Sequence, residues 1–235
     1  MDLALLLLYI AAAVAYGRHF ARPERGRGQA ATGLLVAAAL AHTYVIGLRT
    51  MEVGHAPFAG TSAAISVFVW LLALSYLYVE ITTDERSMGT LIVVLLVALQ
   101  LIPVASTPTP SAPSAVLESP LFVVHVSAML AAYASFGLAC VIGITYVLLF
   151  KEIKKKQLGI FYKRLPSLQV LDRMNMRAVR VGWVFITIGI AVGAAWATTS
   201  QIQTAVDPRL QAMSILDPKI LVALLCWGVY SFHLV

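Results

Sequence analysis

Residues 121–150 read LFVVHVSAMLAAYASFGLACVIGITYVLLF, a run without a single Asp, Glu, Lys or Arg. A helix needs about 20 apolar residues to cross the hydrocarbon core of a bilayer, so this run is long enough to span with tilt or to project beyond one face. Its apolar character is continuous. A membrane β-barrel strand would alternate instead over about 10 residues. Working outward, similar segments occupy about 3–17, 30–48, 61–79, 89–106, 181–199 and 218–235. The expected fold is all-α: a polytopic transmembrane helix bundle of about seven spans, forming one membrane domain over 1–235.

Composition agrees. Of 235 residues, 60% are hydrophobic and 12% charged, against about 25% charged in an ordinary soluble chain. Mean hydropathy is +0.86. A soluble enzyme is excluded by this balance. The net charge of +6 is concentrated in loops rather than in a nucleic-acid-binding patch. Arg18, Arg22, Arg25 and Arg27 follow the first span, Arg86 follows the third, and nine Lys or Arg lie between Lys151 and Arg180. The even-numbered loops hold only Arg49, Arg209 and Lys219. By the positive-inside rule, this predicts an extracytoplasmic N-terminus and a cytoplasmic C-terminus in a bacterial plasma membrane. The opening MDLALLLLYI lacks the basic n-region of a signal peptide and carries Asp2, so it reads as a retained first span. Cys140 and Cys226 lie in apolar runs without a CxxC motif and read as buried structural thiols.

Two loops have distinct character. STPTPSAPSAVLESP, from 106 to 120, cannot continue a helix and reads as an extracytoplasmic connector. After Pro166, Leu168, Leu171 and Met174 fall on one helical side and Arg173, Arg177 and Arg180 on another. This predicts an amphipathic helix at the cytoplasmic interface leading into the sixth span, its arginines facing anionic lipid. Gly182, Gly189, Gly193 and Ala197 form a small-residue stripe suited to close packing within the bundle.

Ionisable side chains inside spans are costly, which makes three histidines informative: His42 in the second span, His125 at the outer start of the fifth, and His233 in the seventh. His19 and His55 fall in loops. An intramembrane histidine either hydrogen-bonds a neighbouring helix or ligates a metal. A proton relay calls for carboxylates at mid-depth, and zinc calls for closely spaced Cys and His. Neither pattern is visible in the spans. A porphyrin needs one or two axial imidazoles in an apolar, aromatic-lined slot, which suits these residues better. At about 1.5 Å per residue, His42 lies roughly 18 Å from the cytoplasmic start of its span and His233 roughly 9 Å from the inside. Ligation of one iron by both would require tilt or a vertical offset.

From 121 onward the order of residues carries more. HVSAMLAAYASFGLACVIGITYVLLF is followed by RLPSLQVLDRMNMRAVRVGWVFITIGIAVGAAWA and then by LDPKILVALLCWGVYSFHL. This order resembles the cytochrome c assembly family, haem-handling membrane proteins of the CcsA and CcmC type, and in particular its short HemX-like and YpjD-like members. The resemblance is specific over 121–235 and topological over 1–120. It implies that His42 and His233 hold haem b within the bundle. It also implies that His125 is the first of two external histidines holding haem at the outer surface. Trp196 and Trp227 match family tryptophans, and Asp217, Pro218 and Lys219 match the end of a WGxxWSWDPK haem platform. Arg49, Arg209 or Lys219 would meet the haem propionates.

Two departures accompany the resemblance. Ser214, Ile215 and Leu216 replace the WSW tryptophans, so the platform is degenerate. The sequence also stops two residues after His233, before the further span and second external histidine that family members carry. The leading expectation is a haem-binding or haem-transfer protein of the cytochrome c biogenesis type, closer to a haem chaperone than to an enzyme. Its expected partners are haem, the lipid bilayer and other membrane subunits of a maturation or respiratory complex, and not nucleic acid. The rival expectation is a non-catalytic structural subunit that retains the fold. A secondary transporter ranks third, for want of broken helices and intramembrane carboxylates.

Overall fold

The computed structural model describes residues 1–56, 58, 60–106, 119–156, 159–204 and 217–234, apart from the side chains of 160, 161 and 199–204. Among these residues there are eight helices: α1 Asp2–Ala21, α2 Arg25–Val53, α3 Thr61–Thr83, α4 Gly89–Ala105, α5 Pro120–Lys154, α6 Ile160–Arg164, α7 Leu168–Thr204 and α8 Pro218–Leu234. Five of them, α1, α2, α3, α5 and α7, are long and apolar enough to cross a bilayer. The apolar helices α4 and α8 have 17 residues each. The chain is a multi-pass membrane protein.

The helices outrun their apolar windows. At 35 residues, α5 is about 52 Å long, well beyond the roughly 30 Å hydrocarbon thickness. Its excess carries Lys151 and Lys154. The first helix continues past residue 17 to Ala21, so His19 belongs to α1 rather than to a loop. The amphipathic stretch after Pro166 is not a separate interfacial helix. It is the first part of α7, one continuous element through the sixth apolar segment, since no proline or glycine interrupts it before Gly182. Its sidedness is as expected: Leu171 and Met174 are fully buried, while Arg173 and Arg180 are exposed.

The basic loops gather at one end of the bundle, called here the basic end. α3 occupies the centre, packing against α2 and α4 on one side and α5 and α7 on the other, and α8 packs on α7. Three polar ties join α1 and α2 at successive depths, the second and third also taking in α3. Farthest from the basic end, Arg49 donates to Asp2 at 2.6 Å. One step down, His42 joins Tyr9 and Ser66, each at 3.0 Å. Near the basic end, Tyr16 and Thr32 donate to Glu80. On α1 the participants recur every seven residues, two full turns, which keeps Asp2, Tyr9 and Tyr16 on one face.

Close approaches are made by glycine. A Cβ on Gly89 would lie 2.1 Å from the Tyr16 ring and 2.8 Å from the Tyr76 hydroxyl. Both tyrosines are fully buried and have little room to move. We expect Gly89→Ala to destabilise the bundle, because overpacking costs about 1–3 kcal/mol and the helix-propensity gain is at most about 1 kcal/mol. Unfolding in mixed detergent–SDS micelles reads the change. Stability at or above wild type would contradict the packing seen here. The α7 stripe works the same way: Cβ atoms on Gly182, Gly189 and Gly193 would come within 2.5–2.6 Å of Phe136, Met129 and His125, all on α5. The stripe is therefore an internal packing surface.

Candidate functional site

The site farthest from the basic end is built on that stripe. His125 lies one and a half turns into α5, half-buried, and meets α7 where glycines leave space. Its Nδ1 lies 2.8 Å from the carbonyl oxygen of Gly189. A carbonyl only accepts, so Nδ1 carries the proton and Nε2 presents its lone pair. Among the described residues, nothing donates to that Nε2. Trp196, two turns beyond Gly189 on α7, stacks on the imidazole with ring centroids 6.4 Å apart and planes at 21°. Phe122 packs on the same tryptophan at 5.2 Å. An imidazole held through Nδ1–H by a backbone carbonyl, with Nε2 open beside aromatic rings, is the arrangement of a metal-ligating histidine. These residues fit an iron porphyrin.

His42 is placed differently. It is fully buried, with both ring nitrogens engaged, Nδ1 by the Tyr9 hydroxyl and Nε2 by the Ser66 hydroxyl. One nitrogen donates and the other accepts, and neither lone pair nor proton is left over. In this arrangement His42 ties α1, α2 and α3 together and offers no nitrogen to an iron. His233 is the penultimate residue of α8 and is exposed at the edge of the bundle.

The structure does not bring those two histidines together. Ser75 of α3 bonds Ser135 of α5 at 3.0 Å, and Phe136 next to it stacks on Tyr230 of α8 at 4.1 Å. His42 sits level with Ser66, nine residues before Ser75, and His233 lies three residues beyond Tyr230. At about 1.5 Å per residue the two imidazoles differ in depth by roughly 18 Å. An iron shared between them would need both nitrogens within a few ångströms of one centre.

The remaining candidates divide. Asp217 is the N-cap of α8, its Oδ1 accepting from the Lys219 amide at 3.0 Å, with Pro218 at the first helical position. Lys219 is almost fully exposed, its Nζ 4.0 Å from Asp217. Trp227 donates to Thr187 at 2.9 Å and, with Trp183 donating to Ser231 at 2.8 Å, fastens α8 to α7. It takes no part in the His125 cluster. Arg49 is committed to Asp2. Arg209, the segment from 107 to 118 and the altered platform residues Ser214, Ile215 and Leu216 lie outside the described residues.

One polar centre escaped the sequence reading. Glu80, one residue past the third apolar segment, falls within α3 and is completely buried. Its Oε2 accepts from Tyr16 at 2.6 Å and its Oε1 from Thr32, so both oxygens act as acceptors, as a carboxylate's do. Arg86 reaches Thr32 through Nε at 3.3 Å, linking guanidinium to carboxylate across one hydroxyl. The bundle thus holds an intramembrane carboxylate at its basic end. The signal was present in sequence: Glu80 follows Tyr76 by one turn and prolongs the helix by four residues beyond the apolar window.

Comparison with known proteins adds the family. The chain is 30% identical to the cytochrome c biogenesis protein CcsA of Chlorella vulgaris over 184 residues, which is 64% of this chain and 58% of that one. It is 25% identical to CcsA of Guillardia theta over 86% of this chain and 70% of the relative. It is 24% identical to protein HemX of Brevibacillus brevis over 97% of this chain and 81% of the relative. The chain therefore spans less than two thirds of the Chlorella protein. The model of the cytochrome c assembly protein family matches residues 58–235. That match takes in α3 and α4 as well as the region after 121, and on its breadth the chain belongs to the cytochrome c assembly protein family.

Proposed function

We propose that this protein handles haem in cytochrome c biogenesis, holding haem b at the end of the bundle away from the basic loops, with His125 as the iron ligand. The observation that supports the reading is the His125 tautomer: the Gly189 carbonyl accepts from Nδ1–H and Nε2 is left to bind. Trp196 supplies an aromatic wall, and Lys219, exposed at the start of α8, would pair with a propionate. When bound, haem supplies the iron and the flat apolar plate, while the protein contributes ligation, orientation and exclusion of water.

The charge distribution supports an extracytoplasmic location for that end, in a bacterial plasma membrane, with α4 and α8 completing seven spans. Membership of the cytochrome c assembly family supports action alongside other membrane subunits of a maturation system. A structural-subunit reading is favoured by one observation, the saturation of His42 by two hydroxyls.

The test is an absorption spectrum of the purified protein loaded with haem. We expect an imidazole-ligated Soret band in the wild type, reduced at least tenfold in His125→Ala and retained in His42→Ala and His233→Ala. A band lost in the last two and kept in the first would move the iron to the inner pair. A wild type that binds no haem leaves the structural-subunit reading.

A further inference from the structure

The lipid-facing side of the bundle carries a feature that haem handling does not use. A groove of about 510 Å³ runs between α3, α5 and α7, walled by Leu71, Leu74, Tyr78, Val184 and Phe185, with Arg180 among its lining residues. The rest of the lining brings no carboxylate, imidazole, thiol or thioether. Among the described residues, no carboxylate lies within ion-pair distance of Arg180. An uncompensated guanidinium beside an apolar wall calls for a ligand that is anionic at one end and hydrocarbon along the rest.

We propose that this groove is a binding site for an anionic phospholipid, its phosphate on Arg180 and one acyl chain lying between α3 and α7. Position favours this occupant. Arg180 stands where the apolar part of α7 begins, on the side of the basic loops, so its guanidinium meets the headgroup layer while the groove descends into the hydrocarbon. Haem shares the amphipathic chemistry, but the lining offers its iron no imidazole, thiolate or thioether. A free phosphate would leave the apolar wall bare. The groove also lies beside the contact of α3 with α5 and α7, the seam between the first four helices and the rest. An acyl chain seated there fills that seam from the membrane side.

The test uses the full chain reconstituted in vesicles of equal phosphatidylglycerol and phosphatidylcholine with matched acyl chains, then released in mild detergent. Retained lipids are counted by native mass spectrometry. One interfacial arginine predicts about a fivefold preference for phosphatidylglycerol in the wild type. Arg180→Gln should bring the ratio near one. Val184→Trp, which fills the groove from an exposed lining position and leaves the charge in place, should do the same. Arg173→Gln removes an exposed charge of the same helix outside the groove and should leave the preference intact. A wild-type ratio near one overturns the proposal, as does a preference that survives Arg180→Gln or Val184→Trp, or that falls equally in Arg173→Gln.

Discussion

Replacing Glu80 with leucine is expected to cost the bundle about 3–6 kcal/mol, the loss of two buried hydrogen bonds to a charged group at about 1.5–3 kcal/mol each. The substitution leaves Tyr16 and Thr32 without their shared acceptor, Tyr16 in a fully buried position, while Arg86 keeps its direct ion pair with Asp84. Magnitude separates this from ordinary polar packing. Interhelical hydrogen bonds inside membranes average only about 0.6 kcal/mol, so two neutral bonds would account for little more than about 1 kcal/mol. Glu80→Gln isolates the charge: it keeps the shape and one acceptor but points an amide N–H₂ at the other hydroxyl, which must turn. We expect a loss of about 1–2 kcal/mol for that variant, scaled from the usual cost of a mismatched buried hydrogen bond. Unfolding in mixed detergent–SDS micelles measures both. A loss below about 1 kcal/mol for Glu80→Leu would show that the carboxylate is dispensable to the fold, against the usual worth of hydrogen bonds to a charged group.

The same centre shows how far the sequence could be read. Span positions were legible because each is a continuous apolar run, and the family was legible from the order of residues after 121. The helix ends were not, because a helix continues past its apolar window wherever polar side chains find partners on neighbouring helices. Glu80 lies one residue past the apolar window of the third span, and the hydroxyls that satisfy it, Tyr16 and Thr32, come from two other helices. The heptad recurrence of Asp2, Tyr9 and Tyr16 was visible in the string, as was the equal spacing of His42 and Arg49. What joined them into rungs was the antiparallel register of α1 and α2, which no single segment specifies. His42 is an iron-ligand candidate through its company of three intramembrane histidines and through the family resemblance. In the structure Tyr9 and Ser66, each able to donate or accept, engage both of its ring nitrogens. Asp217 had a local signature all along, an acidic residue before Pro and the start of an apolar run, and it caps α8 accordingly.

The glycine stripe of α7 is a packing surface against α5 that also sets the orientation of His125. A Cβ on Gly193 would lie 2.6 Å from Nδ1 and 2.7 Å from Cε1 of His125, so Gly193→Ala forces the imidazole to move. The ring cannot shift and still keep its 2.8 Å bond to Gly189, the bond that fixes its proton on Nδ1. Freed, the imidazole samples both tautomers and leaves the face of Trp196. Loss of an outer partner that orients a metal-binding histidine typically weakens the metal site 10–100-fold, and we expect haem affinity to fall by about that factor in Gly193→Ala. Folding should be largely spared, since alanine favours the helix by about 1 kcal/mol over glycine and offsets part of the crowding. Gly143→Ala supplies the control: its added methyl meets nothing within 4 Å, so haem binding should match the wild type. Haem titration followed at the Soret band measures all three proteins. If Gly193→Ala binds haem as tightly as Gly143→Ala does, the orientation of His125 by α7 is not what makes the site, and the iron must be held elsewhere in the chain.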